Sequence, residues 1–246
     1  MNLLRAPLAC VARWSLRARP SAGPAAAAGA ARCPPARLEA EGLRVERGDR
    51  VLLHGLGLVV GPGEAIELTG PNGCGKTTLL RVLAGLCTAD AGSVRWCGRP
   101  LAEVRPEWHA ALAWLGHLDG VKAELSALDN LGVEAGVSEA AALSALARVG
   151  LAASAEVEAG RLSAGQRRRL ALARVLLSAR RVWLLDEPFT ALDAEGRALV
   201  RAVMGEHLAA GGLLVYSNHH DQGIGVARRL ALPAPLDIGL TSGEEA

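Results

Sequence analysis

Two rhythms of apolar residues divide the chain. From Leu38 onward apolar positions alternate, Leu43 with Val45 and then Leu56, Leu58 and Val60, bounded by Gly48-Asp49 and by Gly61-Pro62-Gly63. Period-two runs punctuated by glycine and proline predict short strands of an antiparallel sheet. Ala65-Ile66-Glu67-Leu68-Thr69 reads as a further strand, followed by a glycine-rich turn. The helix expected from about Lys76 to Leu86 is apolar on several faces and is therefore predicted to be buried. Between Leu118 and Leu162 the strand rhythm stops. There Ser138 is placed to cap a helix carrying Leu143, Leu146 and Val149 on one side, with Glu139 in the first turn, where the helix dipole favours an acid. This stretch predicts an inserted helical lobe. A helix from about Ser163 to Arg180 then leads into the apolar strand Val182-Trp183-Leu184-Leu185, and Leu213-Leu214-Val215-Tyr216 reads as another buried strand. Alternation of strand, loop and helix is the pattern of an α/β core, and no internal repeat duplicates it.

Composition narrows the possibilities. A chain of 246 residues can bury a substantial core. Its net charge of +2 with 21% charged residues is that of an ordinary protein surface. It lacks the basic excess needed to neutralise many phosphates, so no nucleic-acid partner is expected. No run approaches the roughly 18 to 20 apolar residues of a membrane-spanning helix, which routes any membrane role through a partner. Cys10, Cys33, Cys74, Cys87 and Cys97 are odd in number and show no CxxC spacing. That argues against a disulfide framework or a zinc site and fits a reducing compartment. Residues 1–36 are rich in alanine, arginine and proline, and the first acidic residue is Glu39. An organellar transit peptide, a disordered tail or an upstream start would each give that composition. The folded domain is expected over 37–230, with the helical lobe at about 118–162 and a tail at 231–246.

Arginine dominates the 27 basic residues, and only Lys76 and Lys122 are lysine. Each lysine therefore invites a chemical reason. Lys76 sits in Gly70-Pro71-Asn72-Gly73-Cys74-Gly75-Lys76-Thr77, followed by Thr78, after a strand and at a helix start. This is the phosphate-binding pattern GxxxxGK[ST] in its required context. Glycines let backbone N–H groups turn towards phosphates, and the helix N-terminus adds positive potential. Lys76 supplies a compact charge for the β- and γ-phosphates of ATP, and Thr77 a hydroxyl for Mg2+. Cys74, beside that N-terminus, is expected to be a reactive thiol that alkylation blocks and ATP protects.

Val182 to Leu185 runs into Asp186-Glu187. Two carboxylates at the end of a buried strand are costly unless a cation or a reaction uses them. Asp186 is the candidate magnesium ligand with Thr77, and Glu187 the candidate base that orients and deprotonates the attacking water.

Leu162-Ser163-Ala164-Gly165-Gln166 resembles the LSGGQ signature of ABC ATPases. The resemblance implies a P-loop NTPase of ABC type, with a RecA-like core, an antiparallel β lobe and an inserted helical lobe. It also implies that Ser163, Gly165 and Gln166 face the γ-phosphate of ATP held by a second copy, in a homodimer. A plain N-cap would account for Ser163 but leave Gly165 and Gln166 unexplained, and Arg167-Arg168-Arg169 reads as a solvated helix face. Ala191-Leu192-Asp193 resembles the loop linking the two ABC sites, and His219 resembles the switch histidine, with His220 as its neighbour.

Gly116 to Leu131 resembles the "GHxxGxKxxLTALENL" region of the ATP-binding subunits of cytochrome c maturation exporters, the CcmA family, and it accounts for Lys122. The tract Arg161 to Asp193 is similar to that family too, and the likeness runs from about Leu38 to Asp221. It implies an ATPase bound at the cytoplasmic face of the membrane to an integral CcmB-like permease. The expected work is haem export or release of a haem-loaded chaperone, alongside haem-handling proteins. Another ABC importer or exporter, or an ATP-sensing scaffold, remains an alternative. Leu118 stands where most ABC proteins have glutamine, which leaves His117 or unassisted water and predicts slow turnover. Near Glu46 to Arg50 there is no tyrosine or phenylalanine to stack on adenine, so Arg47 or Arg50 is the candidate.

Overall fold

The computed structural model describes residues 36–133, 137–218 and 224–237. The readings made for residues 1–35 and for His219 and His220 lie outside the described residues.

The chain begins with β1 (Leu38–Arg47) and β2 (Arg50–Val60), an antiparallel hairpin whose two-residue turn is Gly48-Asp49. β3 (Ala65–Thr69) enters the phosphate loop, and α1 (Lys76–Ala84) leaves it. The helix is shorter than the expected span to Leu86, because Gly85 takes a left-handed conformation and the Leu86 N–H bonds back to Arg81 O. β4 (Ala91–Trp96), β5 (Arg99–Pro100), α2 (Arg105–Ala111) and the edge strand β6 (Leu112–Leu115) follow. The helical lobe contains α3 (Ala127–Gly132), α4 (Glu139–Arg148) and two single 3-10 turns, and α5 (Ala164–Leu177) returns to the sheet. β7 (Val182–Leu185), α6 (Ala194–Ala209), β8 (Leu213–Ser217), β9 (Arg228–Ala231) and β10 (Leu236–Asp237) complete it.

Two sheets result. One is antiparallel, in the order β10-β2-β1-β4-β5, and the other is parallel, in the order β6-β7-β8-β3-β9. The expected α/β fold with an antiparallel lobe and a helical insert is present. Residues beyond 230, read as a tail, still serve both sheets: Ala231 pairs with Thr69, and Leu236 with Val51.

The apolar run of β7 is split between two cores by the two-residue period of a strand. Val182 and Leu184 face α1 and the antiparallel sheet, whereas Trp183 and Leu185 face α5 and α6. A third cluster joins Leu131, Leu146 and Val149 to Leu170 and Ala173 of α5, so this one helix packs on both the sheet and the helical lobe. Ser138 caps α4 as expected, accepting from Ala141 N at 3.3 Å. Leu143 does not join the buried stripe: it is 40% exposed, and Ala142 and Ala145 pack inward instead. Trp108 anchors α2, stacking at a tilt 5.2 Å from Trp96 and donating to Ala84 O at the end of α1.

Among the described residues no helix is long and apolar enough to cross a membrane.

Candidate active site

The phosphate loop is tightly folded over its own side chains. Gly70 has φ 137°, and a Cβ there would sit 2.5 Å from Leu232 O and 2.9 Å from Cys74 Sγ. No other residue fits. Pro71, Asn72 and Gly73 are exposed, Cys74, Gly75 and Lys76 are buried, and Thr77 and Thr78 open the helix half-buried. The Lys76 ammonium curls over the loop, donating to Gly70 O at 2.8 Å and Pro71 O at 2.9 Å. Cys74 does not present its thiol to solvent: the side chain is fully buried in the core, 3.8 Å from Lys76 Nζ, which opposes the expected reactivity.

The end of β7 meets this loop. Thr77 Oγ1 donates to Asp186 Oδ2 at 2.8 Å, and Ser217 Oγ, at the end of β8, donates to Asp186 Oδ1 at 2.7 Å. The same Ser217 Oγ accepts from Glu187 N at 2.8 Å. Glu187 adopts φ 52°, a left-handed conformation uncommon outside glycine, and Thr190 Oγ1 donates to its Oε2 at 3.0 Å. Ser217 went unnoticed in the sequence. The available signal was its position at the carboxyl end of an apolar parallel strand, the edge where α/β sheets bind ligands.

A second cluster surrounds the starts of α5 and α6. Ser163 Oγ accepts from Gln166 N at 3.1 Å, and Gln166 Oε1 accepts from Ser163 N at 2.8 Å. This reciprocal capping box corrects the expectation that a plain cap leaves Gln166 unexplained. Gly165 has its own reason, since a Cβ would lie 2.6 Å from Ala191 O. Asp193, exposed, caps α6 by accepting from Gly196 N at 2.7 Å.

The arginine triplet is not a solvated face. Arg168 is only 5% exposed. Its Nη1 donates to Gly116 O and to Asp119 Oδ1, both at 2.8 Å, and its Nη2 donates to Glu187 O at 2.9 Å and to Asp186 O. Arg169 donates to Val149 O and Gly150 O, and Arg167 to Leu162 O. A helix start packed against three loops turns its cationic side chains onto their carbonyls. On the loop that Arg168 grips, Leu118 is 84% exposed and His117 is exposed. Lys122 is exposed too, and its main chain is what the fold uses: buried Asn130 accepts from Lys122 N at 2.8 Å and donates to Lys122 O at 2.9 Å.

Another buried carboxylate escaped the sequence reading. Glu67, 2% exposed on β3, accepts from Asn218 Nδ2 at 2.7 Å and Arg229 Nε at 3.1 Å. Beside it Tyr216 accepts from Ile224 N at 3.1 Å, and burial pushes its phenol up to about 12.

Residues 53–190 match the pattern of the ABC transporter family. The chain belongs to that family. A cytochrome c biogenesis ATP-binding export protein CcmA of Nitrosococcus oceani is 45% identical over 201 residues, covering 80% of this chain and 93% of the relative. The CcmA of Methylococcus capsulatus is 48% identical over 186 residues, covering 74% of this chain and 90% of its own length. Among solved structures, a Pyrococcus furiosus ABC transporter ATP-binding protein superposes with a TM-score of 0.71 at 26% identity, covering 80% of this chain and 97% of its own. As an ABC ATPase the chain binds nucleotide, and Thr77, Asp186, Ser217 and Glu187 are joined by hydrogen bonds beside the loop before α1.

Proposed function

We propose that this ABC ATPase hydrolyses ATP between two copies of itself and drives an integral membrane permease in c-type cytochrome biogenesis. One observation supports the catalytic reading above others. Ser217 Oγ ties Asp186 Oδ1 to Glu187 N, while Thr77 Oγ1 holds Asp186 Oδ2. A hydroxyl and a carboxylate beside the phosphate loop are the hard oxygen donors that Mg2+ prefers. Among the described residues no group of three His, Cys, Asp or Glu side chains could hold a metal by itself. Thr77 and Asp186 would hold a Mg2+ ion, which would supply positive charge beside the phosphates. Lys76 supports the β- and γ-phosphates, and the backbone from Gly70 to Gly75 wraps them, with Thr78 at the helix start. Glu187 takes the proton of the attacking water. Ser163, Gly165 and Gln166 of the second copy cover the γ-phosphate, Asp193 meets that copy, and His219 contacts the same phosphate.

Phosphate release from wild type and its loss in Glu187→Gln, with nucleotide binding retained, tests this reading. Saturating that variant with magnesium-ATP yields a dimer on sizing. A variant that hydrolyses at the wild-type rate, or stays a monomer, overturns it.

The cellular role rests on CcmA relatives aligning over nine-tenths of their length. Haem export and release of a haem-loaded chaperone are its two forms. Co-purification with a CcmB-like permease tests it, and capture of a different permease points to another importer or exporter. An ATP sensor with little hydrolysis is the second reading, favoured by Leu118, an exposed apolar residue that can neither bond water nor ligate a cation. Leu118→Gln is expected to raise turnover.

A further inference from the structure

Glu187 holds a left-handed backbone conformation, φ 52°, which is unfavourable for a residue with a Cβ. Something must hold it there. Its N–H is fixed by Ser217 Oγ, and its carbonyl receives Arg168 Nη2 at 2.9 Å. The same guanidinium bonds the preceding carbonyl, Asp186 O, and with its other nitrogen Gly116 O and Asp119 Oδ1. Arg168 therefore spends the hydrogens of both terminal nitrogens on two segments that are otherwise far apart in sequence, the 116–119 loop and the end of β7. Its Nε is buried without a partner, an uncompensated polar atom tolerated within this arrangement. Such a strut demands a planar fork, since the three hydrogens of lysine radiate from one nitrogen and cannot reach both segments together.

We propose that Arg168 is a positioning residue for hydrolysis: it clamps the carbonyl of Glu187 and makes the placement of that carboxylate depend on the 116–119 loop. This rests on the reading of Glu187 as the base. Asp119 orients the guanidinium from the loop side, so the loop and the carboxylate move as one unit. Displacement at Leu118, exposed between Gly116 and Asp119, is thereby felt at Glu187 without any direct contact between them.

The test compares Arg168→Lys, Asp119→Asn and Glu187→Gln in the full-length chain, by steady-state ATPase and by binding of a fluorescent ATP analogue. Arg168→Lys is expected to lower kcat about 10-fold or more while KM and analogue affinity stay within about 3-fold, the split left by a lost positioning contact. Asp119→Asn, at a half-exposed loop position, keeps the fork in place and lowers kcat by a smaller factor. It serves as the readout if Arg168→Lys fails to fold. Wild-type kcat in both variants overturns the proposal while Glu187→Gln remains inactive. A fall in kcat accompanied by an equal loss of analogue binding also overturns it, by showing only a damaged fold. If Glu187→Gln itself hydrolyses normally, the assignment of the base fails instead.

Discussion

Thr77 and Asp186 meet across 109 positions of sequence, the threonine hydroxyl donating to the aspartate at 2.8 Å. The bond joins the first turn of α1 to the end of β7 and brings a hydroxyl and a carboxylate to one point beside the phosphate loop. Asp186→Asn keeps the shape but removes the negative charge and leaves a single oxygen able to ligate a cation. It is expected to lower magnesium-dependent hydrolysis at least about 10-fold, the scale seen when groups around a functional cation are altered. Nucleotide binding in the presence of a chelator should be unchanged. A magnesium titration of phosphate release, run beside a binding assay in chelator, checks both.

Gly165 and Ala191 are the second close pair. A methyl group added at Gly165 would stand 2.6 Å from Ala191 O, which forces α5 away from the start of α6. Gly165→Ala is expected to destabilise the protein by about 1–3 kcal/mol, as overpacking does. ATPase should fall as well, because the signature segment shifts. Ala164→Ser, at the exposed neighbouring position, is the control and should leave the melting temperature nearly unchanged.

Cys74 is fully buried despite its place in the glycine-rich loop. Brief treatment of the native protein with a maleimide is expected to label the half-buried Cys87 and Cys97 before Cys74. Cys74 should react only after denaturant is added. Peptide mapping by mass spectrometry reads the order, and early labelling of Cys74 in the native protein would show that the loop opens.

His207 links stability to pH. Its ring stacks on Trp183 with centroids 3.8 Å apart, and Nε2 lies 3.2 Å from Leu213 O. Burial lowers its pKa below the ordinary 6.5, against smaller raising contributions from the Leu213 and Arg181 carbonyls. The unfolded chain therefore binds the proton more readily, so this contribution is complete above about pH 6.5 and declines as pH falls towards the lowered value. Melting temperature should drop from pH 7.5 to pH 5.5 by more in wild type than in His207→Gln. Equal drops in the two proteins would remove His207 as the cause.

The ABC architecture was legible in the sequence because its signals are local. A strand, a glycine-rich turn and a lysine at a helix start specify the phosphate loop within a dozen residues, and Asp186-Glu187 closes an apolar strand. Ser138 and Ser163 announced helix starts because a cap bonds to an amide only three residues away. What the sequence could not determine were relations between segments. Arg168 looked like part of a solvated triplet because nothing nearby in sequence tells a helix which side chain will meet two loops. Ser217 and Glu67 sit in apolar strands, and their partners, Asp186 and Asn218, lie just past the ends of neighbouring strands. Cys74 took its fate from the core packed below the loop rather than from the dipole beside it. Sequence by itself determined the fold class and the motifs at the ends of its elements, since hydrogen bonding along the chain and periodicity act over a few residues. Only the tertiary structure decided which charges are buried and what they hold, because desolvation and long-range hydrogen bonds depend on neighbours that arrive from elsewhere in the fold.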